Sequence, residues 1–144
     1  MQKNEAGIIA GSAEIKDILA RIKTIAVVGL SPNPEKDSHK VAKYLQQAGY
    51  KIIPVYPHGE VILGEKVYHS LSEIKEPVDL VDIFRKSEFI AAIVDEVLDR
   101  NDVKCVWTQL GLVDNRAAGK AIAAGLCVVQ NRCLKIEHQK LFAR

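Results

Sequence analysis

Five short apolar runs, separated by segments with helical spacing, most constrain what this chain can fold into. The first, residues 24–30, is rich in β-branched residues and contains a glycine near its end. A run without polar alternation is typical of a strand buried on both faces, and such strands usually belong to parallel sheets. Four further runs lie at residues 51–56, 78–84, 104–108 and 126–129. Their alternation with helical patterns indicates βαβ units.

Helical patterns lie between these runs, most clearly in one apolar stripe that follows Ser87. The stripe has the spacing i, i+3, i+4, i+7, i+8 and consists of Ile90, Ile93, Val94, Val97 and Leu98. Other helices are predicted to start at Ser12, at Ser38 and at the N-cap Asp114, with Ser38 and Ser87 as further candidate N-caps. Ser70 and Glu73 predict a capping box on a single helical turn.

These elements predict an α/β fold: a doubly wound, mostly parallel, five-stranded Rossmann-like sheet with helices on both faces. The strand order is either 3-2-1-4-5 or 2-1-3-4-5, and both orders place a ligand crevice at the carboxyl ends of the strands. Residues 57–68 are predicted to form either a small β-ribbon or an excursion of the chain away from the sheet. Residues 1–11 are predicted to be a flexible N-terminal arm and residues 12–144 a single domain.

Charge and cysteine content exclude several classes of protein. Twenty Lys and Arg against eighteen Asp and Glu leave a net charge of +2, without a basic run, which argues against a nucleic-acid partner. Three cysteines without CxxC spacing argue against a disulfide framework or a zinc site. No apolar stretch reaches the ~20 residues of a membrane span, and no signal-peptide pattern begins the chain. We therefore expect a cytoplasmic protein with a small-molecule ligand and no membrane partner.

The loop after the first run stands where a Rossmann-like protein binds phosphate. It contains Gly29, Ser31, Asn33 and Lys36, but a serine and a proline stand where a dinucleotide fingerprint has further glycines. The alternative is a plain strand-to-helix turn whose proline and asparagine merely fit the backbone.

The end of the second strand argues against NAD. An NAD site has a carboxylate there for the ribose hydroxyls, and residues 54–58 contain none. The cations Lys36, Lys40 and His58 suit a phosphorylated ribose, as in NADP or coenzyme A (CoA). The alternative for Lys40 is an ordinary solvated position on a helix.

The ends of the later strands add an aromatic ring, cations and an amide. Phe84 and Arg85 follow the third strand, and Gln109 with Gly111 follows the fourth. Arg132 and Cys133 follow the fifth strand, where Cys133 is either a reactive thiol beside a cation or a small buried hydrophobe. The sequence contains no GxSxG, HExxH or GxxxxGK[ST] motif, and the histidines lack metal-ligand spacing. Converging polar loops of this kind favour a ligand site.

Taken together, these segments resemble the small free-standing CoA-binding proteins, which are similar to the CoA-binding domain of the succinyl-CoA synthetase α subunit. The resemblance covers residues 18–138 and includes the motifs VVGLS, VDIFRKS, VWTQLG and NRCLKIEH. Two positions depart from the family pattern: Tyr56 stands where the family often has Asn, and Asn131 where it often has Asp.

The resemblance implies a groove that holds CoA or an acyl-CoA, with roles assigned by position. Gly29, Ser31 and Asn33 would face the nucleotide phosphates, and Lys36 a phosphate. The remaining assignments are Val55 and Pro57 at the adenine end, Phe84 and Arg85 at the diphosphate or pantetheine, and Gln109 with Arg132 at the thiol end. From its residue type, Gly111 would permit close approach of the backbone to the ligand.

The leading hypothesis is therefore a protein that binds CoA or an acyl-CoA and has no demonstrable catalytic constellation. One alternative is an enzyme on the same fold, either NADP-dependent or acyl-CoA-processing through Cys133 or His138. Another is a thiol-regulatory protein in which Cys133 forms a mixed disulfide with CoA. A homo-oligomer or a further protein partner is compatible with each alternative.

Overall fold

A five-stranded parallel sheet forms the centre of the fold, in a computed structural model that describes residues 8–142. Its strands are β1 (Thr24–Val28), β2 (Lys51–Val55), β5 (Leu80–Ile83), β6 (Cys105–Thr108) and β7 (Cys127–Val129). The strand order is β2-β1-β5-β6-β7, and every neighbouring pair is parallel. This is the second of the two predicted orders, and the predicted fold class is confirmed. Strands β3 (Val61–Ile62) and β4 (Glu65–Lys66) form a separate antiparallel ribbon within the segment 57–68.

Helices cover both faces of the sheet. They are α1 (Ser12–Arg21), α2 (Asp37–Gln47), α3 (Ile90–Asp99), α4 (Asn115–Ala123) and α5 (Leu134–Phe142). Apolar residues of α1, α2 and α5 pack in one core cluster, and those of α3 and α4 pack in a second cluster on the opposite face. Among the described residues, no helix has both the length and the apolar character needed to cross a membrane.

The predicted N-cap at Asp114 is confirmed, because its Oδ1 accepts a hydrogen bond from the amide of Ala117 at 2.9 Å. The caps predicted at Ser38 and Ser87 are wrong. The Ser38 hydroxyl lies inside α2 and accepts from the Ser31 amide at 3.0 Å, and the Ser87 hydroxyl accepts from the Val113 amide at 3.1 Å. Both serines therefore tie loops together instead of capping helices.

The predicted single turn after Ser70 is present as a 3₁₀ turn, Leu71–Glu73. Its capping box is wrong, since the Glu73 carboxylate accepts from the amide of His69 at 3.0 Å rather than from that of Ser70.

Helix α5 is not among the helices predicted from the sequence, in which Arg132 and Cys133 simply follow the fifth strand. Of the predicted N-terminal arm, residues 1–7 lie outside the described residues. The remainder runs beside β7, where the amide of Ile9 donates to the carbonyl of Val128 at 2.8 Å and Ile8 forms a parallel bridge with Val128.

Asp82 is a carboxylic acid in the middle of the sheet. It lies in register between Val27 of β1 and Trp107 of β6 and is fully buried. Neither of its oxygens has a hydrogen-bond partner among the described residues. Burial raises the pKa of Asp82 well above its usual value, because an ionised carboxylate would lose its hydration without compensation.

We predict that Asp82→Asn becomes more stable relative to the parent protein as the pH rises. A raised folded-state pKa contributes stability below the unfolded pKa of about 3.9 and loses it as the pH approaches the folded pKa. The stability difference should change by up to about 1.4 kcal/mol per pH unit in that window. Urea unfolding of both proteins at pH 5, 6, 7 and 8 measures it.

Asp79→Asn is the matched control, because Asp79 lies on the same segment and titrates in the opposite sense. Partial burial raises the pKa of Asp79, but hydrogen bonds from the amides of Lys23 and Thr24 and from the Lys104 ammonium outweigh it and lower the pKa. This variant should be destabilised by a constant amount between pH 5 and 8. A stability difference for Asp82→Asn that is equally flat would contradict the prediction.

A candidate ligand-binding groove at the carboxyl ends of the strands

Three neighbouring cavities lie along the carboxyl ends of the strands. The large cavity, of about 630 Å³, lies between α2, the loops after β5 and β6, and α5. The loop cavity, of about 450 Å³, lies beside the loop between β1 and α2. The small cavity, of about 120 Å³, lies at the end of β2. Arg85 lines all three and Phe84 lines the first two, so the cavities adjoin one another along one groove.

Gly29 allows the end of β1 to lie against the end of β5. Its φ is +91°, and a Cβ atom at this position would be 2.7 Å from the carbonyl oxygen of Phe84. Its amide donates to the Val55 carbonyl at 2.8 Å. Three strand ends therefore meet at one residue, and only glycine fits that contact.

The loop after Gly29 is held by its own side chains. The Ser31 hydroxyl accepts from the Asn33 amide at 3.0 Å, and the Asn33 side-chain oxygen accepts from the Glu35 amide at 3.0 Å. Since the Ser31 oxygen acts as an acceptor here, its O–H remains available to donate to a ligand. Asn33 is exposed and lines none of the three cavities.

Arg85 has a defined position without a carboxylate partner. Its guanidinium lies 4.3 Å from the centre of the Phe89 ring, a stacking arrangement that holds the cation. Within residues 8–142, no ion pair involves Arg85. The guanidinium can therefore bind an anionic ligand without first releasing an internal partner.

The groove is more basic than the whole chain. Its lining contains the cations Lys36, Lys40, Arg85, Lys86 and Lys135, against the carboxylates Asp37 and Glu96. The large cavity also has an apolar lining, to which Val41, Phe84, Leu110, Leu112 and Ile136 contribute. A ligand that combines phosphate groups with a less polar arm matches this distribution.

Gln109 lies below the large cavity and supports α5. It is 6% exposed, and its Oε1 accepts from the amide of Leu134 at 3.3 Å. Its Nε2 makes no hydrogen bond within the described residues and is not fully buried, so this amide can donate to a ligand in the large cavity.

Arg132 and Gly111 do not reach the groove. The Arg132 guanidinium lies 3.4 Å from the Glu137 carboxylate and donates to the Ala10 carbonyl at 3.2 Å. Arg132 instead lines a separate side cavity of about 310 Å³. The amide of Gly111 donates to the Asn131 side chain at 2.7 Å. The predicted site residues that do line the groove are Gly29, Ser31, Lys36, Val55, Pro57, Phe84, Arg85 and Gln109.

Sequence reasoning missed the wall that α5 supplies. Lys135, Ile136 and Gln139 line the large cavity from this helix, and Lys40 lines it from α2. The available signal for a helix was the seven-residue spacing of Leu134 and Leu141, in a segment (134–144) that contains neither proline nor glycine.

Comparison with known proteins gives consistent matches over most of the chain. The family model described as CoA binding domain matches residues 23–139. The uncharacterized protein YneT of Bacillus subtilis (strain 168) is 45% identical over 126 residues, which is 88% of this chain and 93% of YneT.

A second relative is the alpha subunit of an ADP-forming acetate–CoA ligase (II) of Pyrococcus furiosus. It is 32% identical over 97 residues, or 67% of this chain, but that region is only 21% of the subunit. Among solved structures, a hypothetical protein from Pyrococcus horikoshii OT3 superimposes with a TM-score of 0.88 at 38% identity. That match covers 98% of this chain and 99% of the other.

We predict that Gly29→Ala destabilises the fold much more than Gly49→Ala. Gly49 has a comparable φ of +108°, but a Cβ there meets no atom within 4 Å. The control should therefore lose only the about 1–2 kcal/mol that a left-handed backbone costs a residue with a side chain. Gly29→Ala should lose about 1–3 kcal/mol more, because the methyl group displaces the Phe84 backbone. Urea unfolding measures both, and equal losses would contradict the role given to Gly29.

Proposed function

The chain belongs to the CoA binding domain family, and from this premise we propose that its groove binds coenzyme A or an acyl-CoA. One observation carries the proposal: three cavities of different character share Arg85, and two of them also share Phe84. CoA is a long ligand with an adenine, a phosphorylated ribose, a diphosphate and a neutral pantetheine arm. A groove that changes along its length from basic loops to an apolar wall suits such a molecule.

In this proposal the adenine lies at the end of β2 and the phosphates lie beside Arg85. Val55 and Pro57 line the small cavity, where they offer apolar contact to a base. The Ser31 hydroxyl, Lys36 and Arg85 surround the loop cavity and can donate to phosphate oxygens. Gly29 lines this cavity with its backbone alone.

The pantetheine arm then follows the large cavity. Phe84 and Leu110 offer apolar contact, and the Gln109 amide can bond to a pantetheine carbonyl. Arg132, Asn33 and Gly111 have no direct contact with CoA in this arrangement. Asn33 holds the phosphate-binding loop through its bond to the Glu35 amide.

The residues after β2 favour CoA over NAD. Tyr56 and Pro57 line the loop and small cavities, and no carboxylate follows them before Glu60 to bind the ribose hydroxyls of NAD. The three cysteines are unpaired, in keeping with the cytoplasmic location that forms part of this proposal.

We predict that CoA binds the parent protein and that Arg85→Ala raises the Kd for CoA at least tenfold. Loss of a charge-assisted contact to phosphate accounts for a change of that size. The matched control is Lys43→Ala, which removes an exposed cation of α2 that lines none of the cavities of the groove. Isothermal titration calorimetry with CoA, dephospho-CoA, NADP and NAD measures both effects.

Absence of CoA binding at millimolar concentration would overturn this function. Tighter binding of NADP than of CoA would favour an NADP-dependent enzyme on the same fold.

A second candidate function is thiol regulation through Cys133. This half-buried cysteine lies in the wall shared by the large cavity and the side cavity, where the thiol end of the pantetheine arm would lie. Its thiolate would attack one sulfur of CoA disulfide and form a Cys133–CoA disulfide, while the other CoA leaves as a thiolate. The exchange requires no further oxidant.

We predict that incubation with CoA disulfide adds the mass of one CoA to the protein and that a reductant reverses the addition. Cys133→Ser should abolish the mass increase. Cys127→Ser should retain it, because Cys127 lies within β7 and lines none of the described cavities. Intact-protein mass spectrometry gives the readout, and an unchanged mass of the parent protein would exclude this function.

A further inference from the structure

The side cavity lies at the end of the groove where the thiol of CoA would lie. It shares Leu110, Cys133 and Ile136 with the large cavity, so the two cavities adjoin each other. Its outer wall is the N-terminal segment Ile8, Ile9 and Ala10. None of the residues assigned to the adenine or the phosphates lines it.

Exposed apolar side chains gather at this cavity. Ile8, Leu110 and Ile136 are 44%, 61% and 46% exposed, and they are three of the six large exposed hydrophobic residues within 8–142. All three line the side cavity, although they come from the N-terminal segment, the loop after β6 and α5. Apolar surface collected from three separate parts of the chain marks a binding site more often than chance exposure.

Leu110 is held in its exposed position by a rigid turn. Gly111, with φ of +83°, follows it, and the Leu112 amide closes the turn on the Gln109 carbonyl at 3.0 Å. The Thr108 hydroxyl donates to the Leu112 carbonyl at 2.7 Å, and Asn131 accepts from the Gly111 amide. The turn therefore cannot easily withdraw Leu110 from water, and Gly111 and Asn131 act by positioning it.

The polar side chains of the cavity already have partners. Arg132 faces the Glu137 carboxylate, and Gln130 accepts from the Asp114 amide and donates to Asn115. The carboxylate of Glu137 that pairs with Arg132 is buried. A ligand carboxylate in this cavity would therefore have to displace Glu137 from Arg132 or lie close to a like charge. The lining thus favours an apolar group over an anionic one.

We propose that the side cavity binds the acyl chain of an acyl-CoA and selects an apolar chain over one that ends in a carboxylate. This inference rests on the proposed function, because CoA in the groove delivers the acyl group to Leu110 and Ile136. The cavity of about 310 Å³ has room for a short chain beyond the thioester. Ile8, Ile9 and Ala10 would then contact the end of the chain.

The test compares acyl-CoA ligands of increasing length by isothermal titration calorimetry. Burial of a methylene strengthens binding about fourfold, which is the conversion of about 0.8 kcal/mol. Because the cavity is open on one side, we expect hexanoyl-CoA to bind at least tenfold more tightly than acetyl-CoA. Butyryl-CoA should bind at least fivefold more tightly than succinyl-CoA, a matched pair with four acyl carbons each.

Two variants locate the effect. Ile8→Ser removes part of the apolar wall of the side cavity, and Ala10→Phe fills the cavity. Each substitution should reduce the ratio of the affinities for hexanoyl-CoA and acetyl-CoA at least threefold. Neither residue lines the groove, so the Kd of free CoA should be unchanged. Val61→Ser is the control, because Val61 is equally apolar and 65% exposed on the ribbon. It should keep the full advantage of hexanoyl-CoA.

The outcomes separate this inference from the proposed function. If free CoA does not bind, the proposed function fails and this inference fails with it. If CoA binds but hexanoyl-CoA binds no more tightly than acetyl-CoA, only the acyl-chain site is overturned. Tighter binding of succinyl-CoA than of butyryl-CoA, or an undiminished hexanoyl advantage in both variants, also overturns it.

Discussion

The reversal of strand order beside β1 is the constraint on which the groove depends. The chain leaves β1 toward β2 on one side and later returns to place β5 on the other, so the connections diverge and leave a crevice at the carboxyl ends. The crevice has its shape only because the backbones of Gly29 and Phe84 come close together. A side chain at residue 29 would push β1 and β5 apart beside the loop cavity and the small cavity.

Two ionisable residues in and just after β5 lie in opposite environments. Asp82 is enclosed between Val27 and Trp107, where the absence of hydrogen-bond partners favours a neutral acid. Arg85, three residues later, lies beyond the strand end, where its guanidinium is stacked on Phe89. Burial raises the pKa of Asp82 well above its usual value, and this disfavours a negative charge beneath the groove. The carboxyl end of β5 can then contribute both apolar contact, through Phe84, and anion binding.

The elements set by local sequence were predictable, and those set by distant partners were not. The apolar runs of the buried strands and the Asp114 cap can be recognised from residues close together in sequence, and they were predicted correctly. Ser38 and Ser87 have good cap chemistry, but their hydroxyls bind amides 7 and 26 residues away. Arg132 lines the side cavity, and its guanidinium is held there by Glu137 and by the Ala10 carbonyl, a contact across 122 residues that the sequence does not reveal. Helix α5 was not predicted because it has no long apolar stripe, since Leu134 and Glu137 are its only buried residues within the described part of the chain.

The two ends of the proposed ligand site are therefore specified in different ways. The phosphate end depends on backbone geometry at Gly29 and on a loop closed by its own side chains, so a substitution there disturbs the fold itself. The end beyond the thiol is built from side chains of the N-terminal segment, the loop after β6 and α5. Side chains such as Ile8 and Ile136 are partly exposed and can change with little effect on the core. Under the proposed function, substitutions at this end would therefore change the selectivity for the acyl group and leave the phosphate-binding loop intact.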